Sequence, residues 1–154
     1  MEIKRIIKGT KELCFEVLSE SLLFDINNSS EKDIVLSDIK PGYSYTKNLQ
    51  NKVGNKGAVR VEIKTFTPNS KYEVTFDTNQ GCNTLSYQLN DYDAEHFELI
   101  YSENFTSEKS MNTMNFKFMS KLYERGNKKK INATLDQLEN IIVAKMKENS
   151  VCQD

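Results

Sequence analysis

The chain has one histidine, three cysteines, and no apolar run long enough to span a bilayer or to form the centre of a signal peptide. Each shortage closes a route to function. A zinc centre asks for three or four converging ligands, and His96 supplies one, although Asp91, Asp93, Glu95 and Glu98 flank it. If the chain is a strand from 96 onward, His96 and Glu98 share one face while Phe97 and Leu99 take the other, which puts the histidine on the solvent side of a hairpin. No metal site is expected there. The cysteines show no C-x-x-C spacing: Cys14 falls in a helical pattern, Cys82 in a turn signal and Cys152 in the tail, so free thiols and a cytoplasmic location are expected. A thiol in the apolar stripe of a helix behaves as a small hydrophobe unless something lowers its pKa, and no sequence neighbour does that for Cys14.

Charge imbalance is missing too. Lys and Arg number 21 against 22 Asp and Glu, a formal net charge of -1 that creates no general attraction to nucleic acid or to an acidic membrane. Linear signatures of catalysis are absent: there is no G-x-S-x-G, P-loop, G-x-G-x-x-G or H-E-x-x-H. Accordingly no catalytic residue is assigned, no cofactor is called for, and a binding role is preferred to an enzymatic one. At 154 residues the length suits one domain with one core, from 1 to 154, its end from 149 onward read as a disordered tail.

What the sequence does contain is alternation. In "AVRVEIKTF", 58–66, Val59, Val61 and Ile63 alternate with Arg60, Glu62 and Lys64, and in "KYEVTFDT", 71–78, Tyr72, Val74 and Phe76 alternate with polar residues. The period of two returns in "TLSYQLN" with Leu85, Tyr87 and Leu89, and in "HFELIYSENF" with Phe97, Leu99 and Tyr101. "TPNSK", "NQGCN" and "NDYDAE" are short enough to be hairpin turns. With "YSYTKNL" at 43–49 and "EIKRII" at 2–7, this predicts an antiparallel sheet of about six strands with one wet and one apolar face.

Two helical patterns flank the strands. After Thr10, placed to cap, Leu13, Cys14, Val17, Leu18 and Leu22 recur at three and four residues and predict a helix ending near Phe24 or Asn27. The connector 27–42 is polar but holds Ile34, Val35, Leu36 and Ile39, and Ser30 could cap a short turn in it. Near the end, Ile131, Leu135, Leu138, Ile142 and Met146 form one stripe, joined by Ile141. The preceding "MNTMNFKFMSKLY" has apolar residues all around its axis, Met111, Met114, Phe116, Phe118, Met119, Leu122 and Tyr123 among them, so it is expected to be buried on more than one side. Leu122 would lie about half a turn from Ile131 on a straight helix. A break or kink near Gly126 would realign the two faces.

Strand, helix, connector, meander and long last helix resemble the helix-grip superfamily, which includes START lipid-transfer, pollen-allergen-like and polyketide cyclase-like proteins. The resemblance rests on "EIKRIIKGTKELCFEVL", the hairpin-linked amphipathic strands and "INATLDQLENIIVAKM". The chain is similar to an uncharacterised bacterial branch of it, a domain of unknown function. The resemblance implies an α+β fold in which a curved antiparallel sheet wraps around the C-terminal helix, with a cavity between them for an apolar or amphipathic small molecule. On that reading the cavity is lined by Val61, Ile63, Tyr72, Val74, Phe76, Leu85, Tyr87, Leu89, Phe97, Leu99, Tyr101, Phe118, Leu135, Leu138 and Ile142. A filled core would use the same residues, and the pattern leaves both open, as it leaves open an interaction module built on 111–123 and the connector. Phenols such as Tyr72, Tyr87 and Tyr101 need partners for their hydroxyls, whether ligand, backbone or solvent.

One local charge cluster stands out. Lys117, Lys121, Arg125, Lys128, Lys129 and Lys130 face a single acid, Glu124. Lysines opening a final helix oppose its dipole, and the cluster is small for a phosphate footprint, so it is read as a solvated shoulder, before an anionic-ligand gate or a nucleic-acid contact. No nucleic-acid partner and no transmembrane segment are expected.

Overall fold

The computed structural model describes residues 1–50, 56–78, 81–106 and 113–151. Expectations about Met111 and Cys152 lie outside the described residues, as do those about the side chains of 113–127. Strand β1 (Glu2–Lys8) leads into helix α1 (Lys11–Ser30), a 3-10 turn (Leu36–Asp38), then β2 (Ser44–Gln50), β3 (Lys56–Thr67), β4 (Lys71–Thr78), β5 (Gly81–Asp91), β6 (His96–Thr106) and helix α2 (Thr113–Val151). The strands make one curved antiparallel sheet in the order β1-β6-β5-β4-β3-β2, so α1 carries the chain from one sheet edge to the other. This is the α+β architecture that the alternating segments predict.

Alternation decides which side chains face the helices. Val59, Val61, Ile63, Val74, Leu89, Phe97, Leu99 and Tyr101 are all buried on the inner face. Cys82 is the second residue of β5 and not part of a turn, because Gly81 already pairs with Thr78. In β3 the register steps between Ile63 and Thr65, leaving Lys64 as an extra residue against β4. Such a step adds local twist and reverses the faces beyond it.

Thr10 caps α1, its Oγ1 accepting from the Leu13 amide at 3.1 Å. The helix continues past Asn27 to Ser30 and ends on Glu31, which sits in the left-handed region at φ 52°. The expected stop came too early because two polar residues are satisfied inside the helix. Asn27 brackets Ile34, donating to its carbonyl at 3.2 Å and accepting from its amide at 2.9 Å, and the Ser30 hydroxyl bonds back to the Ile26 carbonyl instead of capping anything. Of the connector's apolar group, Ile39 is buried while Val35 and Leu36 are exposed.

Helix α2 is continuous through Gly126, so the break expected there is not present. Its length also removes the dipole argument: Lys128, Lys129 and Lys130 lie well inside the helix, exposed, not at its start. The helix runs to Val151, so the tail expected from 149 is helical for its first three residues. The stripe Ile131, Leu135, Leu138 and Ile142 is buried as predicted, but Ile141 is 45% exposed and does not join it.

Two clusters make the core. One joins α1 and the second half of α2 to β1, β5 and β6 through Ile7, Leu13, Leu89, Phe97, Leu135 and Ile142. The other joins the end of α1 to β2, β3 and β4 through Leu22, Ile26, Tyr45, Val61, Ile63 and Val74. Each such side chain contributes roughly 1.5–3 kcal/mol by burial. Polar ties hold α2 to the first cluster: Arg5 on β1 reaches Asp136 Oδ1 at 2.7 Å and Asn132 Oδ1 at 2.8 Å, and Lys145 reaches Glu20 on α1 at 2.8 Å.

Candidate functional site

Strand register builds the site. Phe66 stands opposite Tyr72, Tyr72 opposite Tyr87, and Tyr87 opposite Tyr101, which sets one aromatic residue from each of β3 to β6 in a single row across the inner face. The rings touch in sequence. Phe66 and Tyr72 meet edge-on at 6.1 Å, Tyr72 and Tyr87 stack at 6.0 Å with planes 11° apart, and Tyr87 meets Tyr101 edge-on at 5.3 Å. Phe15 of α1 closes the row against Phe66 at 5.0 Å. Phe66 takes part only because of the register step at Lys64; uninterrupted alternation would turn it outward with Glu62 and Lys64.

Further along the same strands, Val74, Leu85 and Glu103 form the next row, and Phe76, Asn83 and Phe105 the one after. These rows carry the polar groups. Glu103 accepts at both oxygens, Oε1 from Asn83 Nδ2 at 2.7 Å and Oε2 from the Tyr101 hydroxyl at 3.0 Å. The hydrogen bond to Glu103 orients the Asn83 amide, since the reverse orientation would set oxygen against oxygen. Its Oδ1 is then buried with no hydrogen-bond donor among the described residues. A buried acceptor left unmet costs roughly 1–3 kcal/mol, so this atom is a strained point in an otherwise satisfied face.

The phenols stay neutral. Burial pushes the Tyr87 hydroxyl up to about 12, with nearby Cys14 and Glu103 adding to the effect. Burial raises Tyr72 as well, helped by Tyr87 and Asp25. At the other end of the sheet, burial and the hydrogen bond to Asp25, 2.6 Å from its hydroxyl, raise Tyr45. Lys47 closes that group by pairing with Asp25 at 2.9 Å. Cys14 is fully buried and burial lifts its thiol to about 12, which leaves it unionised and without nucleophilic character.

The residues expected to line a cavity divide into two sets. Val61, Ile63, Leu99 and Ile142 have no accessible surface, Val74, Phe97 and Leu135 have 1%, and Leu89 and Leu138 are also buried. A side chain that a water-sized sphere cannot touch has no ligand-sized void against it, so these are packing residues. Tyr72, Phe76, Leu85 and Tyr87, which point inward by register, are half-buried, next to the buried Tyr101. The side chain of Phe118 lies outside the described residues. Sequence reading omitted Phe66, Asn83 and Glu103. A signal existed for the last two: continuing the period of two back from Leu85 and on from Tyr101 puts a polar residue at each inward position.

Other parts of the surface offer less. A hollow of about 410 Å³ lies on the outer face of the sheet around Glu73, Ser86, Ser102 and Glu2, and an open groove of about 450 Å³ runs between Glu12 and Glu16 of α1 and Met146 and Asn149 of α2. Both are open to solvent, unsuited to sheltering an apolar molecule. His96 closes a hairpin: its Nδ1 lies 2.9 Å from Asp93 Oδ1, and that oxygen also accepts from the Glu95 and His96 amides at 2.8 Å each. The hydrogen bond from His96 is the main reason Asp93 titrates below the usual carboxylate range. Among the described residues, no three His, Cys, Asp or Glu side chains converge to hold a metal ion, and no helix is long and apolar enough to cross a membrane.

Comparison with other proteins supports the same architecture. Residues 1–124 match the model of a family described as Domain of unknown function (DUF3284). No curated protein matches the sequence. Among solved structures, a protein of unknown function from Staphylococcus aureus superposes with a TM-score of 0.69 at 16% identity, covering 96% of this chain and 94% of its own. Ara h 8.0201 superposes with a TM-score of 0.61 at 11% identity over 94% of this chain and 97% of its own, and a protein from Thermus thermophilus does so with the same figures. At these identities the likeness concerns the fold, which is the helix-grip.

Proposed function

The chain belongs to the family Domain of unknown function (DUF3284), and from this footing we propose that it is a non-enzymatic binding protein of the cytoplasm, one helix-grip domain taking an apolar or amphipathic small molecule of the lipid-like or polyketide-like kind. The ligand lies on the inner face along the aromatic row. One observation carries the reading: Tyr72, Phe76, Leu85 and Tyr87 are half-buried on a face whose neighbours Ile63, Val74 and Leu99 are sealed. Half-buried aromatic surface beside packed core favours a pre-formed apolar site. The absence of any ionised nucleophile at Cys14 favours binding over covalent chemistry.

Native mass spectrometry of freshly purified protein against its denatured mass tests the proposal, followed by titration with fatty acids, lipids and aromatic polyketides. A defined extra mass or saturable binding is expected. A bare mass together with no binding across the panel would overturn it.

A second reading rests on the opposite end of the molecule. Phe24 is 72%, Val35 58% and Leu36 47% exposed, which favours an interaction or regulatory module that meets a partner through the end of α1 and the connector. Strictly monomeric sedimentation and no partner in lysate would count against it.

A further inference from the structure

We infer that the hydroxyls of Tyr72 and Tyr87 are the polar contacts of the site, and that they select a planar aromatic molecule with a neutral carbonyl oxygen over a saturated chain or a carboxylate. The inference rests on the binding reading above and names the ligand class for the same face.

Two inward tyrosines are satisfied by the protein and two are not. Tyr45 donates to Asp25 at 2.6 Å and Tyr101 to Glu103 at 3.0 Å, so each has its acceptor within the chain. Tyr72 and Tyr87, paired with each other across β4 and β5, make no hydrogen bond through their hydroxyls among the described residues. Neither oxygen is sealed. Among the described residues, Asn83 Oδ1 is the one side-chain nitrogen or oxygen of a residue not fully exposed that has neither accessible surface nor a partner. An unpartnered phenol oxygen without surface would share that state, so both hydroxyls are within reach of a water-sized sphere. They are nonetheless well withdrawn from bulk water, since burial is the main cause that lifts Tyr87 to about 12 and raises Tyr72 as well. A phenol held partly out of water asks for a partner at its O–H.

The neighbours decide the kind of partner. Both phenols stay protonated at neutral pH and donate, which calls for an acceptor oxygen. Asp25 lies near enough to add to the rise at Tyr72, and Glu103 to that at Tyr87. The same negative charges act against an anionic ligand group and favour a neutral acceptor. The body of the ligand meets rings. Phe15, Phe66, Tyr72, Tyr87 and Tyr101 form an unbroken series of ring contacts with centroids 5.0 to 6.1 Å apart. A flat aromatic molecule adds offset or edge contacts to such a series, and a saturated chain does not.

The test is calorimetric titration with acetylnaphthalene, ethylnaphthalene, naphthoate and methyl decyl ketone, each below its solubility limit. The wild-type chain is compared with Tyr72→Phe, Tyr87→Phe and the double variant. Acetylnaphthalene should bind at least about tenfold tighter than ethylnaphthalene and naphthoate, since a site built to hydrogen-bond an oxygen penalises analogues that do not supply it. It should also bind tighter than methyl decyl ketone, which keeps the carbonyl and loses the ring. Each single variant should reduce the preference for acetylnaphthalene over ethylnaphthalene, and the double variant should abolish it. The substitutions remove hydroxyls without a partner among the described residues, so the melting temperature should not fall. If the double variant fails to fold, the single variants decide. Equal binding of acetylnaphthalene and ethylnaphthalene, tighter binding of naphthoate or methyl decyl ketone, or identical titrations in wild type and variants, as expected if the hydroxyls serve water alone, would overturn the inference. Saturable binding in any of these cases, or binding of fatty acids or lipids alone, leaves the binding reading standing. No binding by the four compounds, by fatty acids or by lipids would overturn both.

Discussion

Gly9 lies directly beneath Ile142: a Cβ added at position 9 would come within 2.9 Å of Ile142 Cγ2, closer than carbon atoms tolerate. Gly9 also has φ +138°, a conformation that disfavours any side chain, and its amide donates to the Glu95 carbonyl at 2.9 Å. The turn from β1 into α1 is therefore the seat on which the second half of α2 rests. Gly9→Ala should destabilise the protein by about 1–3 kcal/mol through overpacking and backbone strain together. Urea unfolding followed by circular dichroism measures this, and a loss under a few tenths would mean that α2 is not seated there.

Leu135 and Ile141 are separated by fewer than two helical turns, yet the first is 1% and the second 45% exposed. Leu135→Ala should cost roughly 2–5 kcal/mol because it leaves a cavity among Leu13, Leu99 and their neighbours. Ile141→Ala should change stability by no more than about 0.5 kcal/mol. The same unfolding experiment separates the two, and comparable losses would contradict the orientation of α2.

Alkaline pH should weaken the fold. Burial raises Cys14 from 9.0 and Tyr87 from 10.0, each to about 12, so the folded chain keeps protons that the unfolded chain has released. With fewer protons bound in the unfolded state, stability falls as pH rises. The contribution is complete below about pH 9 and lost on approaching pH 12, with a slope of up to about 1.4 kcal/mol per pH unit for each group. Cys14→Ala and Tyr87→Phe should each flatten the decline in melting temperature above about pH 9. A decline of unchanged slope in both variants would assign it to other groups.

Arg5 binds α2 through Asp136 and Asn132 with its side chain only 20% exposed, whereas Asp136 is 68% exposed. The pair is thus partly screened, and Arg5→Met should cost about 1 kcal/mol, less in high salt. Measuring the unfolding free energy of both proteins at low and high ionic strength checks the electrostatic part. An effect independent of salt would mean that the hydrogen bonds to the uncharged Asn132, and not the ion pair with Asp136, carry it.

Several elements were legible from periodicity alone because the signal is local. A period of two over 71–78 predicted β4 to the residue, and the stripe Ile131, Leu135, Leu138 and Ile142 identified the buried face of α2. The extent of α1 was less legible, since Asn27 and Ser30 look like breakers until their partners Ile34 and Ile26 are known. Ile141 was misread for a related reason: it is apolar and adjacent to the stripe, but no element among the described residues packs over that side.

The sequence by itself determined the sheet, its inward residues, the cap at Thr10 and the helical cover, because each follows from the spacing of residues close in the chain. Only the tertiary structure decided which inward residues are sealed and which keep surface. It also decided that one extra residue at Lys64 turns Phe66 inward to complete the aromatic row. The bond between Asn83 and Glu103, like that between Arg5 and Asp136, joins side chains far apart in the chain whose meeting depends on strand pairing and helix docking. Neither amino acid carries its partner's identity in its own neighbourhood, so register and packing had to bring the two together.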